Sequence, residues 1–138
     1  MKFTCTKTNF NNGINIALKA VPGKTTMPIL ECVVIEAKGD MVKLTTNDMQ
    51  LGIETKIPAE IEQDGIILVN AKMISEIVRR LPDDDVNFEV DENNNILLFC
   101  GKSKFNIPGI PHHEYTIHPK IQSDNTIHIS QFTLKEII

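Results

Sequence analysis

The sequence predicts an α+β domain made of two strand–helix–three-strand units, with the helices packed on one side of antiparallel sheets. Three observations predict it. Residues 8–21 and 71–81 carry apolar side chains at helical spacing. The other apolar runs are short, and most end at turn residues. The order of these patterns also repeats along the chain, and an internal repeat constrains the whole fold.

The elements follow in order. "KFTCT" (2–6) alternates as a strand does, and "TNFNNGINIALKAV" (8–21) places Phe10, Ile14, Ala17, Leu18 and Val21 on one helical face. Gly13 weakens that helix by about 1 kcal/mol relative to Ala, and Pro22-Gly23 ends it. Strands are expected over 29–37, 41–48 and 51–61, the first two joined by a hairpin turn at Lys38-Gly39-Asp40. The second unit opens with a strand over 65–69. A helix over 71–81 follows, with Asn70 as its N-cap, Met73, Ile74, Ile77, Val78 and Leu81 on its apolar side, and Pro82 after it. Strands over 86–90, 95–101 and 102–107 complete the unit, with turns at Asn93-Asn94 and Gly101.

A third copy begins near the end, with a strand over 126–130 and a helix over 131–138. Aligning Thr6, Asn70 and Ser130, at spacings of 64 and 60 residues, brings Phe10, Ile74 and Leu134 into register. The division is therefore a first domain over 1–120 (repeats about 2–61 and 65–110) and the start of a second over 121–138. The polar stretch 111–125 reads as a linker. A chain that stops inside a unit is expected to be part of a longer protein.

Composition narrows the function classes. The 138 residues suffice for one core, 41% are hydrophobic, and Trp is absent, so Ile, Leu, Val and Met must fill the interior. No apolar run approaches the ~20 residues of a membrane span, and the first ten residues lack a signal-peptide stretch; a cytoplasmic protein is expected, with no membrane partner. Cys5, Cys32 and Cys100 are odd in number and widely spaced, which suits buried reduced thiols. The net charge of −4 conceals a sorting. Residues 1–24 hold four lysines and no acid, and residues 71–81 are net +2, whereas 25–70 and 82–101 are net −5 and −6.

Three motifs that resemble chemistry do not survive their spacing. Gly23-Lys24-Thr25 lacks the first glycine of a nucleotide-binding loop, because Leu18 stands there, and the helix precedes the loop rather than following it. His113, Glu114 and His118 are one residue too far apart for a zinc-protease helix: five residues rotate by about 140°, so the imidazoles diverge. The acidic run 82–92 lacks the spacing and glycine of a calcium loop. No nucleophile–base set is visible, so no catalytic residue, metal or cofactor is assigned, and a non-enzymatic role is expected.

The helix faces carry more information. Lys72, Ser75, Glu76 and Arg79 form one stripe on the second helix, and Asn11, Asn12, Asn15 and Lys19 form an acid-free face on the first. Acids concentrate in the strands. One side of the domain can thus lie close to a phosphate backbone without reading bases.

At this point the residues resemble the bacterial DNA polymerase III beta subunit family, the replicative sliding clamps. "MKFTCTKTNF", "GKTTMPIL", "LTTNDMQLGI", "VRRLP" and "CGKSKFNIPGIP" carry the resemblance by their order and spacing. It implies the DNA-clamp fold, three such domains in a full chain, and a head-to-tail homodimeric ring that encircles duplex DNA and slides along it. Helices would line the hole. Such a ring is a processivity factor: it does no chemistry and makes polymerase rebinding effectively intramolecular.

By resemblance, Lys24, Lys72 and Arg79 fall at DNA-facing positions, with Arg80 a neighbour. Lys102, Lys104 and Phe105, with Ile107 beside them, fall at the ring interface opposite a second clamp subunit. Met73 and Asn95 stand where relatives can carry basic residues, so fewer ion pairs would close this ring. The pocket that binds the replicative polymerase and the clamp loader lies between the family's second and third domains, outside this chain. The alternative is a stand-alone protein-binding or dimerisation domain without a DNA function. Further coding sequence in frame after Ile138, with four more units, separates the two.

Overall fold

The computed structural model describes residues 1–115 and 125–138. The first unit comprises β1 (Lys2–Thr6), α1 (Lys7–Ala17) with a 3-10 turn over Leu18–Ala20, then β2 (Cys32–Lys38), β3 (Met41–Asn47) and β4 (Gly52–Pro58). A short β5 (Glu60–Gln63) joins it to the second unit of β6 (Gly65–Asn70), α2 (Ala71–Arg80), β7 (Asp85–Val90), β8 (Asn95–Cys100) and β9 (Ser103–Pro108). A last helix, α3, spans Gln131–Ile137.

The three aligned positions all prove to be N-caps. Thr6 accepts a hydrogen bond from the Asn9 amide, Asn70 from that of Met73 and Ser130 from that of Thr133, each satisfying a donor that the first helical turn leaves free. Gly39 and Gly101 sit at φ +68° and +56° in two-residue hairpin turns, a conformation in which a side chain is strained.

All strand pairings are antiparallel, in a five-stranded sheet ordered β5-β1-β7-β8-β9 and a four-stranded sheet ordered β4-β3-β2-β6. The repeats are interleaved: β1 pairs with β7 of the second unit, and β6 with β2 of the first. α1 packs on β3 and β4 and lies against α2, which packs on β6. One core unites both sheets and both helices, with Phe3, Phe10, Ile14, Ile35, Leu44, Ile74 and Phe88 fully enclosed.

Several expectations are corrected. The strand expected over 51–61 is two strands in different sheets. β4 ends at Pro58, which has no N–H for a ladder, and the Ala59 amide bonds to the Asp40 carbonyl at 3.0 Å before β5 turns to β1. The strand expected over 29–37 begins at Cys32, because Pro28 opens a 3-10 turn over Pro28–Glu31. The first helix is α-helical only to Ala17 and closes as a 3-10 turn. Met73, placed on the apolar side of α2, is 43% exposed. Residues 126–130 form no strand, since no described segment offers them a ladder. The linker expected over 111–125 starts as docked chain, because Tyr115 is buried; the part over 116–124, including His118, lies outside the described residues, as does the expected domain boundary at 120/121.

The three cysteines are buried and unpaired. Burial pushes the Cys5 thiol up to about 12. No helix among the described residues is long and apolar enough to cross a membrane.

Candidate nucleic-acid interface and edge strand

α2 owes its two-faced character to its sequence period. Ala71, Ile74 and Val78 are buried, while Lys72, Glu76, Arg79 and Arg80 are exposed. Beside it, α1 turns Phe10, Gly13, Ile14 and Ala17 inward and leaves Asn12, Asn15 and, in the following 3-10 turn, Lys19 at the surface. The two helices together carry one acid, Glu76.

Lys24 is exposed in the loop that leaves this helical run. The loop is braced by Thr25, whose Oγ1 accepts the Met27 amide at 3.0 Å. No α-helix begins after Thr25; Pro28 leads into a 3-10 turn instead, so the loop has no helix N-terminus to offer a nucleotide phosphate. Lys24, Lys72, Arg79 and Arg80 make no ion pair with any described residue. Two lysines of the strands are paired, while Lys38, Lys56 and Lys104 make no ion pair with a described residue. Lys43 is held by Glu36 at 2.6 Å, with Glu54 at 3.9 Å, and Lys2 by Glu62 at 2.9 Å; the paired carboxylates raise the pKa of both amines.

The second candidate region is β9, the outer strand of the five-stranded sheet. One side of its backbone has no ladder partner among the described residues, which makes it a template for another strand. Lys102 lies in the β8–β9 turn. Lys104 points to the outer face, where its Nζ stands 5.3 Å from the centre of the Phe99 ring. Phe105 is half-buried against the core. Ile107, assigned to the interface from sequence, is 1% exposed and pairs with Ile96 inside the core. It shares a face with Phe105 because strand side chains alternate with period two, but in this chain it lies inside the core and not at the surface of the edge.

The structure therefore gathers Lys72, Arg79 and Arg80 on one helix, places Lys24 in a loop of the first unit, and puts Lys102, Lys104 and Phe105 at one sheet edge. Phe99 escaped the sequence reading. Its signal was the alternation of "NILLFC", which puts Phe99 on the outer face and, through the register, opposite Lys104.

Known proteins of this kind bear on the whole arrangement. The family described as DNA polymerase III beta subunit, N-terminal domain, matches residues 1–119. The Beta sliding clamp of Bacillus subtilis is 37% identical over an alignment that takes in the whole of this chain and 39% of that protein. Among solved structures, a chain from Eubacterium rectale described as a DNA polymerase III beta subunit is 49% identical with a TM-score of 0.94, covering 99% of this chain and 38% of that one. The Bacillus subtilis DNA polymerase sliding clamp is 36% identical with a TM-score of 0.95 over the same shares. The chain thus spans about two-fifths of the length of these relatives. With the fold, the interleaved repeats and the family match in agreement, the chain belongs to the DNA polymerase III beta subunit family.

Proposed function

We propose that this chain supplies the first domain of a sliding clamp, a non-catalytic processivity factor whose ring encloses duplex DNA and tethers the replicative polymerase. The observation that carries it is the near absence of acid around these cations. Lys24, Lys72, Arg79 and Arg80 are exposed without ion-pair partners among the described residues, on or next to helices with a single acid, whereas the acids concentrate in the strands and their turns, where Lys2 and Lys43 are paired with carboxylates.

A surface of free cations attracts a phosphate backbone and releases counterions, with no demand on base sequence. An acidic remainder limits binding elsewhere, which reconciles a net charge of −4 with a DNA partner. When a closed ring provides the hold, each phosphate contact can be weak, and weak contacts permit sliding. Ring closure falls to the β9 edge, where Lys102, Lys104 and Phe105 would meet the second subunit. The polymerase and clamp loader would bind parts of the full-length protein outside this chain.

The test uses the full-length protein loaded on nicked circular duplex DNA. Replacing Lys24, Lys72 and Arg79 by Ala should lower the yield of loaded ring and reduce the slope of log affinity against log salt by about one per lost phosphate contact. Unchanged loading and an unchanged salt slope would overturn the assignment of this surface to DNA.

A further inference from the structure

The four-stranded sheet has a face turned away from the main core. Cys32 and Val34 of β2 and Leu68 of β6 lie on it and form a second apolar cluster with Ile29, Ile110 and Tyr115. Residues 109–115 are what cover it. Ile110 pairs with Leu68 through two backbone hydrogen bonds, of 3.0 and 2.9 Å. The Gly109 amide donates to the Asn94 carbonyl at 2.9 Å, in a space so tight that a Cβ there would stand 2.5 Å from that oxygen. A 3-10 turn over His112–Glu114 then carries the chain to Tyr115, which is 7% exposed.

The far end of Tyr115 is held by a specific partner. Asn47, 1% exposed at the end of β3, donates its Nδ2 to the Tyr115 hydroxyl at 3.0 Å. Its Oδ1 accepts the Met49 amide at 3.2 Å, and Met49 sits at φ +75°, in the left-handed region. One buried amide thus spends both its polar atoms on two different segments. Withdrawing Tyr115 would leave the Asn47 amino group buried without its partner, an unfavourable state.

We propose that Tyr115 and Asn47 form a latch that straps residues 109–115 to the back of the first domain and fixes where the chain departs from it. The latch acts on linker length. Free, these seven residues would add up to roughly 25 Å of reach; strapped down, they add none, and the connection to α3 starts at Tyr115. The same amide ties the strap to the 48–51 loop, so releasing one loosens the other. None of this depends on DNA or on ring closure.

Tyr115 is the single tyrosine in a chain without tryptophan, so its absorbance and fluorescence report the latch alone. Burial raises its hydroxyl pKa above the ordinary 10.0. In the intact chain, the phenolate should therefore appear above that value, and a soluble quencher should reach the ring far less readily than in the denatured chain. Asn47→Ala should increase quencher access. Tyr115→Ala should speed hydrogen exchange at the Ile110 amide by at least about tenfold while β7 and β8 amides keep their protection. Ionisation at the ordinary value with denatured-like quenching in the intact chain would refute the latch, and so would Ile110 exchange unchanged by Tyr115→Ala.

Discussion

Phe3 stacks on Phe88, ring centres 4.8 Å apart and planes 15° from parallel, across the β1–β7 pairing that joins the two repeats. Phe10 of α1 meets both rings edge-on, at 6.2 and 6.1 Å. All three rings are fully enclosed. Because the contact crosses the repeat boundary, its removal should weaken both units together. Phe88→Ala is expected to cost about 3–5 kcal/mol, measured by urea unfolding. The double change with Phe3→Ala should fall short of the sum, since the rings share one cavity.

Gly13 sets two effects against each other. Alanine would favour the helix by about 1 kcal/mol. The added methyl would stand 2.7 Å from Ile57 Cγ2 and 2.8 Å from Leu44 Cδ1, both buried side chains of the sheet beneath. Overpacking of this kind costs about 1–3 kcal/mol. Gly13→Ala should therefore be destabilising by about 1 kcal/mol net; a rise in the unfolding midpoint would show that β3 and β4 yield to the helix.

The equivalent caps should respond alike. Thr6→Ala and Asn70→Ala are each expected to lose about 1 kcal/mol, in separate helices of one cooperative core. Asn70→Gly should lose only a few tenths. Equilibrium unfolding of the three variants checks this ranking, and equal losses for Ala and Gly at position 70 would contradict it.

Alkaline pH should loosen the domain. Cys5 is pushed up to about 12, and Cys32, Cys100 and Tyr115 are also raised, in each case chiefly by burial. A raised acid favours the folded state while it holds its proton. The thiol contribution is fully present below the ordinary value of 9.0 and is lost as pH climbs from there through the folded-state value. The Tm should thus fall progressively above about pH 9, and Cys5→Ala should reduce the slope of that fall.

The proposed ring closure offers a test at the sheet edge. In the full-length protein, Phe105→Ala should raise the dimer dissociation constant by roughly tenfold or more, as expected for a central aromatic anchor. Lys104→Glu should act chiefly on association rate and salt dependence, as a rim charge does. Sedimentation at low concentration reads the first and association kinetics at several salt concentrations the second, and an unchanged dimer after Phe105→Ala would exclude it as the anchor.

Much of the fold was legible because its signals are local. Asn70 announced the start of the second helix, its alignment with Thr6 and Ser130 marked the matching positions of the other two, and Gly39 and Gly101 marked two hairpins. What escaped was decided by distant partners. Nothing near Lys2–Thr6 says that β1 belongs with β7, and the break at Pro58–Ala59 matters only because β5 crosses to the other sheet. Tyr115 sits in a polar stretch whose composition reads as linker, yet one buried asparagine 68 residues away claims it. At the site, the charges of Lys24, Lys72 and Arg79 were readable from helical period and resemblance. The depth of Ile107 was not, because alternation gives the face a side chain points to and not how far inside it lies.

The interleaving of β1 and β6 has a consequence for how such a domain can be divided. Severed at Asp64, between β5 and β6, each half would carry an opening strand with a ladder to the other half: β1 would keep β5 but lose β7, and β6 would lose β2. Neither piece could complete its own sheet, and the two could regain the native form only by clasping each other. The domain is in this sense a pair of hands joined by one tether, and its integrity rests on the grip rather than on the tether.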